Sequence, residues 1–197
     1  MTIAFVLGNG ISRQQVPLLV LQPLGPIYGC NGLYREFEPE ALVATDRPIA
    51  THIQESGYAK NHRFYTRRPL PDSGAEKVPA EYFGYSSGPI AVSIAARDHH
   101  RTVYLLGFDM GPTADNKFNN VYAGSQFYKA TDAVPTYTGN WVKQIVRVIQ
   151  DHPQTRFVRL CGPTTAKIAE LGSLRNLQHM DIASFLDRIN TKKDLLL

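Results

Sequence analysis

Read for the spacing of its apolar positions, the chain alternates short, unbroken apolar runs with amphipathic stretches. The runs are residues 2–7 (TIAFVL), 26–30 (PIYGC), 41–45 (ALVAT), 102–107 (TVYLLG), 156–161 (RFVRLC) and 176–180 (NLQHM). Continuous apolar character, without strict alternation, is what strands covered on both faces show. Between them, "SSGPIAVSIAARDHH" (86–100) reads as a helix with Gly88 as cap and Pro89 as its first residue. "NWVKQIVRVIQDH" (140–152) places Trp141, Ile145, Val148 and Ile149 on one stripe and stops at Pro153, and "ASFLDRINTKK" (183–193) reads as a closing helix. This order predicts an α/β protein: one Rossmann-like domain over 1–197, with a doubly wound, mostly parallel sheet and helices on both faces. The stretches 60–85 and 110–137 read as long loops, of the kind that serve as lids or interfaces. Their aromatic residues would also suit contacts in a homo-oligomer.

Composition narrows the class. A chain of 197 residues buries a core unaided, and 43% hydrophobic with 19% charged residues is the balance of an ordinary globular protein. The net charge of +4 is spread out, with Arg67-Arg68 and Lys192-Lys193 as the adjacent basic pairs. Such a charge favours anionic ligands and is not a nucleic-acid footprint. Cys30 and Cys161 each end an apolar run and read as buried reduced thiols. No charged leader precedes the first run, which stops at Gly8, and no stretch reaches the roughly 18 apolar residues of a membrane span. A cytoplasmic protein without a membrane span is expected.

In an open parallel sheet, ligands bind beyond the carboxyl ends of the strands. The residues there are Gly8, Asn9 and Gly10 after the first run, Asn31 after the second, Asp46 after the third and Asp109 after the fourth. Ser86, Ser87 and Gly88 open the helix that would point its amino end at the same edge, a good place for phosphate. Each residue also has a structural reading: the Gly-Asn-Gly corner as a tight turn, Asn31 and Asp109 as turn residues, Asp46 as an N-cap. His99-His100 closes a helix, where imidazolium suits the dipole. "GNGISR" lacks the third glycine of the dinucleotide fingerprint, and no P-loop, G-x-S-x-G elbow or metal spacing occurs.

The successive stretches "LGNGISR", "GPIYGCNGLY", "YSSGPIAVSIAARDHHRTVYLLGFDM", "YTGNWVKQIVRVI" and "RFVRLCGPT" resemble the motifs of bacterial lipooligosaccharide sialyltransferases, across about residues 3–175. The "LGNGxS" and "GxD" elements also resemble the pterin pyrophosphokinase-like, motility-accessory family. A weaker likeness is to uncharacterised proteins of tailed cyanobacterial phages, which would place the protein in a host cytoplasm or a virion. The sialyltransferase likeness implies a Rossmann-like fold that binds CMP-sialic acid. Gly8, Asn9, Gly10, Ser12 and Asn31 would then contact the cytidine nucleotide, and Ser86, Ser87 and Gly88 its phosphate and sugar. Where the family carries its general-base histidine, this chain has Asn140, in Tyr137-Thr138-Gly139-Asn140, and an amide does not take a proton at neutral pH. Met110-Gly111 replaces one family tyrosine, and Tyr122 is the nearest candidate for another.

Three readings follow. In the first, the protein is a glycosyltransferase-like enzyme that uses a nucleotide sugar, with the CMP-linked type favoured, and a glycan or other acceptor. Asp109 or Asp46 would act as base or hold a metal, and Tyr122 or Tyr137 would steady the leaving phosphate. In the second it is a non-catalytic nucleotide-binding or virion protein on the same fold. In the third it transfers pyrophosphate, with Mg²⁺ held by Asp46 and Asp109.

Overall fold

The computed structural model describes residues 2–191. Among these, eight strands form one all-parallel sheet. They are β1 (Ile3–Leu7), β2 (Ile27–Cys30), β3 (Ala41–Val43), β4 (Phe64–Thr66), β5 (Glu76–Lys77), β6 (Thr102–Leu106), β7 (Arg156–Cys161) and β8 (Leu177–Asp181). The spatial order is β5-β4-β3-β2-β1-β6-β7-β8. The chain builds outward from β1 in one direction, then returns to add β6 on its other side. That reversal between β1 and β6 is the topological switch point of a doubly wound sheet. The expected α/β, Rossmann-like architecture is what the chain adopts.

The helices are α1 (Leu18–Leu21), α2 (Arg47–Glu55), α3 (Ser87–Arg97), α4 (Gly139–Asp151), α5 (Ala169–Gly172) and α6 (Ile182–Asn190). Every residue of β1 is buried, and its side chains divide by parity. Ala4 and Val6 join the core beneath α3 and α4, whereas Ile3, Phe5 and Leu7 join the core on the face of α2 and α6. This is why β1 reads as an unbroken apolar run: both of its faces are covered. In α3, Ala91, Ser93, Ala95 and Ala96 are all buried, and small side chains let the helix lie close across the middle strands. No helix among the described residues is long and apolar enough to cross a membrane.

Several expectations need correction. The stretch 60–85 is not a loop throughout: it contains β4 and β5, two short strands on the flank of the sheet. The α3 helix is capped by Ser86, so Gly88 and Pro89 lie inside its first turn. The closing helix ends at Asn190 with Thr191 as its C-cap, and Lys192-Lys193 of that expectation lie outside the described residues. His99 has left the helix with φ of +63°, and burial of the His100 ring lowers its pKa, favouring the neutral imidazole over the expected imidazolium. The stretch 110–137 does lack helix and strand among its described residues, and it folds across the carboxyl edge of the sheet. Cys30 is buried, Cys161 partly so, and both are free thiols.

Candidate functional site

A cleft of about 480 Å³ opens at the carboxyl ends of β1, β2, β3 and β6, over the switch point. Its size is that of a site for a small organic ligand. Its floor includes Gly8, Asn9 and Gly10 from β1, Asn31 beyond β2, Thr45 and Asp46 beyond β3, and residues 107–111 beyond β6. Ser86, Ser87 and Gly88 bring the amino end of α3 to one side, with Trp141 of α4 next to it. Phe118, Asn119, Asn120, Phe127, Tyr128 and Lys129 of the long loop form the roof.

The roof is fastened to the sheet. Val121 N–H donates to the Asn9 carbonyl at 2.8 Å, Ile11 N–H to Asn119 Oδ1 at 2.8 Å, and Gly32 N–H to Tyr128 Oη at 2.8 Å. The Arg35 guanidinium lies within 6.0 Å of four ring centroids, those of Tyr34, Tyr122, Phe127 and Tyr128, and donates to Ser125 and Gln126. Buried Arg13 donates to Glu36 at 2.5 Å and to Tyr122 Oη at 2.9 Å, and the Tyr122 hydroxyl in turn donates to Glu36. Asn31, Met110 and Phe127, all facing the cleft, hold left-handed backbone with φ of +52°, +55° and +72°. For side chains as bulky as Met and Phe that conformation is strained, and such strain gathers at binding sites.

The Gly8-Asn9-Gly10 corner has a packing cause. A methyl group on Gly8 would collide with the Gly107 carbonyl, and one on Gly10 would stand 2.5 Å from Cγ of Asp109. The glycines let the ends of β1 and β6 close on each other, joined by Gly8 N–H and Gly10 N–H bonds of 2.8 Å to the Leu106 and Gly107 carbonyls. The corner therefore clears room for protein, and Asn9 between the two glycines is the residue that meets the cleft.

Of the expected nucleotide-side residues, Gly8, Asn9, Gly10, Asn31, Ser86, Ser87 and Gly88 come together on this one cleft. Ser12 does not: it is buried, and both its N–H and its hydroxyl donate to Asp109. Ser87 is a strut, whose hydroxyl donates to Asn31 Oδ1 at 3.0 Å and accepts from Thr45 N–H at 3.0 Å, tying α3 to β2 and β3. Without an intramolecular partner among the described residues are Nδ2 of Asn9, Nδ2 of Asn31, the Ser86 hydroxyl, and the backbone N–H groups of Ser87 and Gly88 in the first turn of α3. The amides and the two N–H groups are donors.

The expected catalytic residues fare differently. Asp109 lines the cleft, but its carboxylate accepts from Ser12 N–H, Ser12 Oγ, Asn119 Nδ2, Thr164 Oγ1 and Thr165 Oγ1. Both oxygens are engaged, which suits it to holding three segments together and ill suits it to metal binding or proton transfer. Asp46 caps α2 through its backbone carbonyl only; its carboxylate is exposed at the cleft mouth with no side-chain partner among the described residues. Tyr122 belongs to the Arg13–Glu36 cluster behind the roof, with burial raising its phenol pKa, while Tyr137 is 72% exposed and Asn140 also faces away. None of these three lines the cleft. Cys30 does, but burial pushes its thiol up to about 12 against the opposing effect of Arg13, so it stays protonated at neutral pH.

Sequence reading missed Arg159. It is 2% exposed on β7 and donates to the carbonyls of Phe108, Asp109 and Ala166 at 2.8–3.1 Å. Burial lowers its pKa, with Asp109 as the nearby opposing charge. A lone arginine inside an apolar run ("FVRLC") was the available signal. The aromatic roof was visible only as composition. Compared with protein-family models, curated proteins and solved structures, the chain matches none.

Proposed function

We propose that the cleft binds a nucleotide sugar, of the cytidine type, and that the protein is a glycosyltransferase-like enzyme with Asp46 as its general base. One observation carries this reading: four unpaired donors, two amides and two N–H groups at a helix amino end, converge on one cleft at a sheet switch point. The helix end suits the phosphate, through its dipole and its free N–H groups. The amides of Asn9 and Asn31 suit acceptor atoms of a base or ribose, and they occupy the positions that the sialyltransferase resemblance assigns to the nucleotide. Asp46 supplies the one carboxylate on the cleft that other side chains have not engaged. The pyrophosphoryl reading needs Asp46 and Asp109 together on Mg²⁺, and Asp109 has no free oxygen for it. The non-catalytic reading is favoured by one fact, that Tyr122, Tyr137 and Asn140 lie off the cleft.

Thermal unfolding against CMP, CDP, CMP-sialic acid, UDP- and GDP-sugars and ATP tests binding. At a hundredfold excess over Kd, a ligand stabilises the fold by about 2.7 kcal/mol, a shift of roughly 5–11 °C at this size. The cytidine ligands should shift wild type and fail to shift Asn9→Ala. Donor hydrolysis or transfer should then vanish in Asp46→Asn with nucleotide binding retained. Binding without turnover in wild type favours the non-catalytic nucleotide-binding protein, and no shift with any nucleotide overturns nucleotide binding and leaves the virion-protein reading.

A further inference from the structure

A second cleft, of about 380 Å³, lies beyond the ends of β3 and β4 and shares Thr45, Asp46 and Arg67 with the first as a common wall. Arg47, Arg67 and Arg68 line it, against the single carboxylate of Asp46. Arg67 is held in place, donating from Nε to the Phe83 carbonyl and from Nη2 to the Tyr85 carbonyl, each at 2.8 Å, which leaves Nη1 without a partner among the described residues. Arg47 and Arg68 are exposed and have no side-chain partner among the described residues, whereas Arg63, Arg97 and Arg147 are each paired with a carboxylate.

The turn that carries two of these arginines is fixed from below. Buried Gln54 of α2 donates from Nε2 to the Arg68 carbonyl at 3.4 Å and accepts at Oε1 from Leu70 N–H at 2.7 Å and Ser73 Oγ at 3.1 Å. The same Nε2 donates to the Ala50 carbonyl of α2 at 3.1 Å, so the amide braces the turn against the helix and orders it before any ligand arrives, which lowers the entropy lost on binding. Guanidinium groups on such a support are suited to paired hydrogen bonds with a phosphate.

We propose that the second cleft is a phosphate subsite, and that the phosphate belongs to the acceptor substrate. The acceptor's role rests on the transferase reading above; the phosphate site does not. With its phosphate on Arg47, Arg67 and Arg68, the acceptor places a hydroxyl beside Asp46, in the wall between the clefts. That oxygen bonds to the anomeric carbon of the donor and its proton passes to Asp46. The bond from that carbon to the nucleotide breaks, and its electron pair leaves on the nucleotide phosphate, facing the amino end of α3.

The test titrates inorganic phosphate into the protein at constant ionic strength, followed by ³¹P NMR line broadening, in wild type, Asn9→Ala and the double variant Arg47→Gln/Arg68→Gln. Both arginine side chains are exposed and make no internal bonds, so the double variant should fold, and its unfolding temperature checks this. Phosphate binding should weaken at least tenfold in the double variant and be unchanged in Asn9→Ala and in the presence of saturating CMP. Equal phosphate binding in wild type and the double variant overturns the subsite. Displacement of the arginine-dependent phosphate by CMP or CDP overturns the acceptor assignment, because the subsite would then hold the nucleotide's own phosphate. If no nucleotide binds while phosphate binding still needs both arginines, the transferase reading falls and the phosphate site stands.

Discussion

At the scale of single residues, Asp46 and Asp109 show how two similar carboxylates at strand ends take different work. Both follow an apolar run, and the sequence offers no means to rank them. The partners of Asp109 come from positions 12, 119, 164 and 165, far apart along the chain, and they turn it into a buried knot. Asp109→Ala should therefore lower stability by about 3 kcal/mol or more, since it strands hydroxyl and N–H donors as well as the charge of Arg159. Asp46→Asn should leave the free energy of unfolding within about 0.5 kcal/mol of wild type, as surface changes do. Urea unfolding of the two variants side by side separates the roles, and equal midpoints would undo the assignment. Asn9 and Asn31 were legible because strand-end amides stand out in a short turn. Ser12 was misread because its sequence position beside the corner is the same whether it faces ligand or carboxylate.

At the scale of elements, the fit between strand ends and helix decides which glycines matter. Gly10→Ala would drive a methyl into the Asp109 carboxyl and toward the Gly107 carbonyl oxygen, 2.8 Å away, and should cost about 2 kcal/mol or more. At Gly88 a methyl meets only the Phe108 ring, at 3.4 Å, an ordinary contact inside a helix. Gly88→Ala should be neutral or stabilise by up to about 1 kcal/mol. Thermal melts of the pair check the contrast, and a loss at Gly88 as large as at Gly10 would contradict it. The central strands and α3 and α4 were readable because burial on two faces, or on one stripe, leaves a long enough apolar pattern. The strands β4 and β5, of three and two residues, carry too little of one, and β5 is exposed throughout. Their neighbours Arg67 and Arg68 were read only as a basic pair, although the strand end is what sets them beside the cleft.

At the scale of the whole molecule, the edge opposite the clefts carries the main titrating network. Tyr28 Oη donates to Asp98 at 2.7 Å and lies 3.0 Å from His100 Nε2, while Arg63 donates to Asp98 at 2.8 Å. Burial alone would raise the Asp98 carboxyl, but the bonds from Arg63 and Tyr28 outweigh it and hold the pKa below the usual value. Burial also lowers His100 and His179, against Asp98 and Glu40 at the first and aided by Arg159 at the second. A histidine whose folded pKa is depressed takes up protons more readily when unfolded, so stability is full above about pH 6.5 and declines as pH falls below it. Asp98 adds a further loss at more acid pH, as pH falls through its depressed folded value. Urea midpoints should thus be level from pH 7 to 8 and fall between pH 6.5 and 5, with a shallower fall in His100→Gln; a rise on acidification would refute the scheme. The strand order was partly legible at this scale, since alternating strands and helices imply a parallel sheet, but the point of reversal depends on which strand joins the far side of β1.

That reversal also has a consequence for how the protein comes to exist. Ile3 pairs with Thr102, so one side of the innermost strand waits, during synthesis, for a partner made much later. Until then the emerging half-sheet β1–β5 presents an unpaired apolar rim, the kind of surface that chaperones cover and that otherwise associates with other chains. The knot at Asp109 closes later still, once Thr164 and Thr165 have been translated. The floor of the cleft joins residues 8–10 to residues 107–111, and its Asp109 is fixed from 164 and 165, so an intermediate that holds only β1–β5 lacks half of the ligand's surroundings. Ligand binding then rewards only chains in which both sides of β1 have been paired.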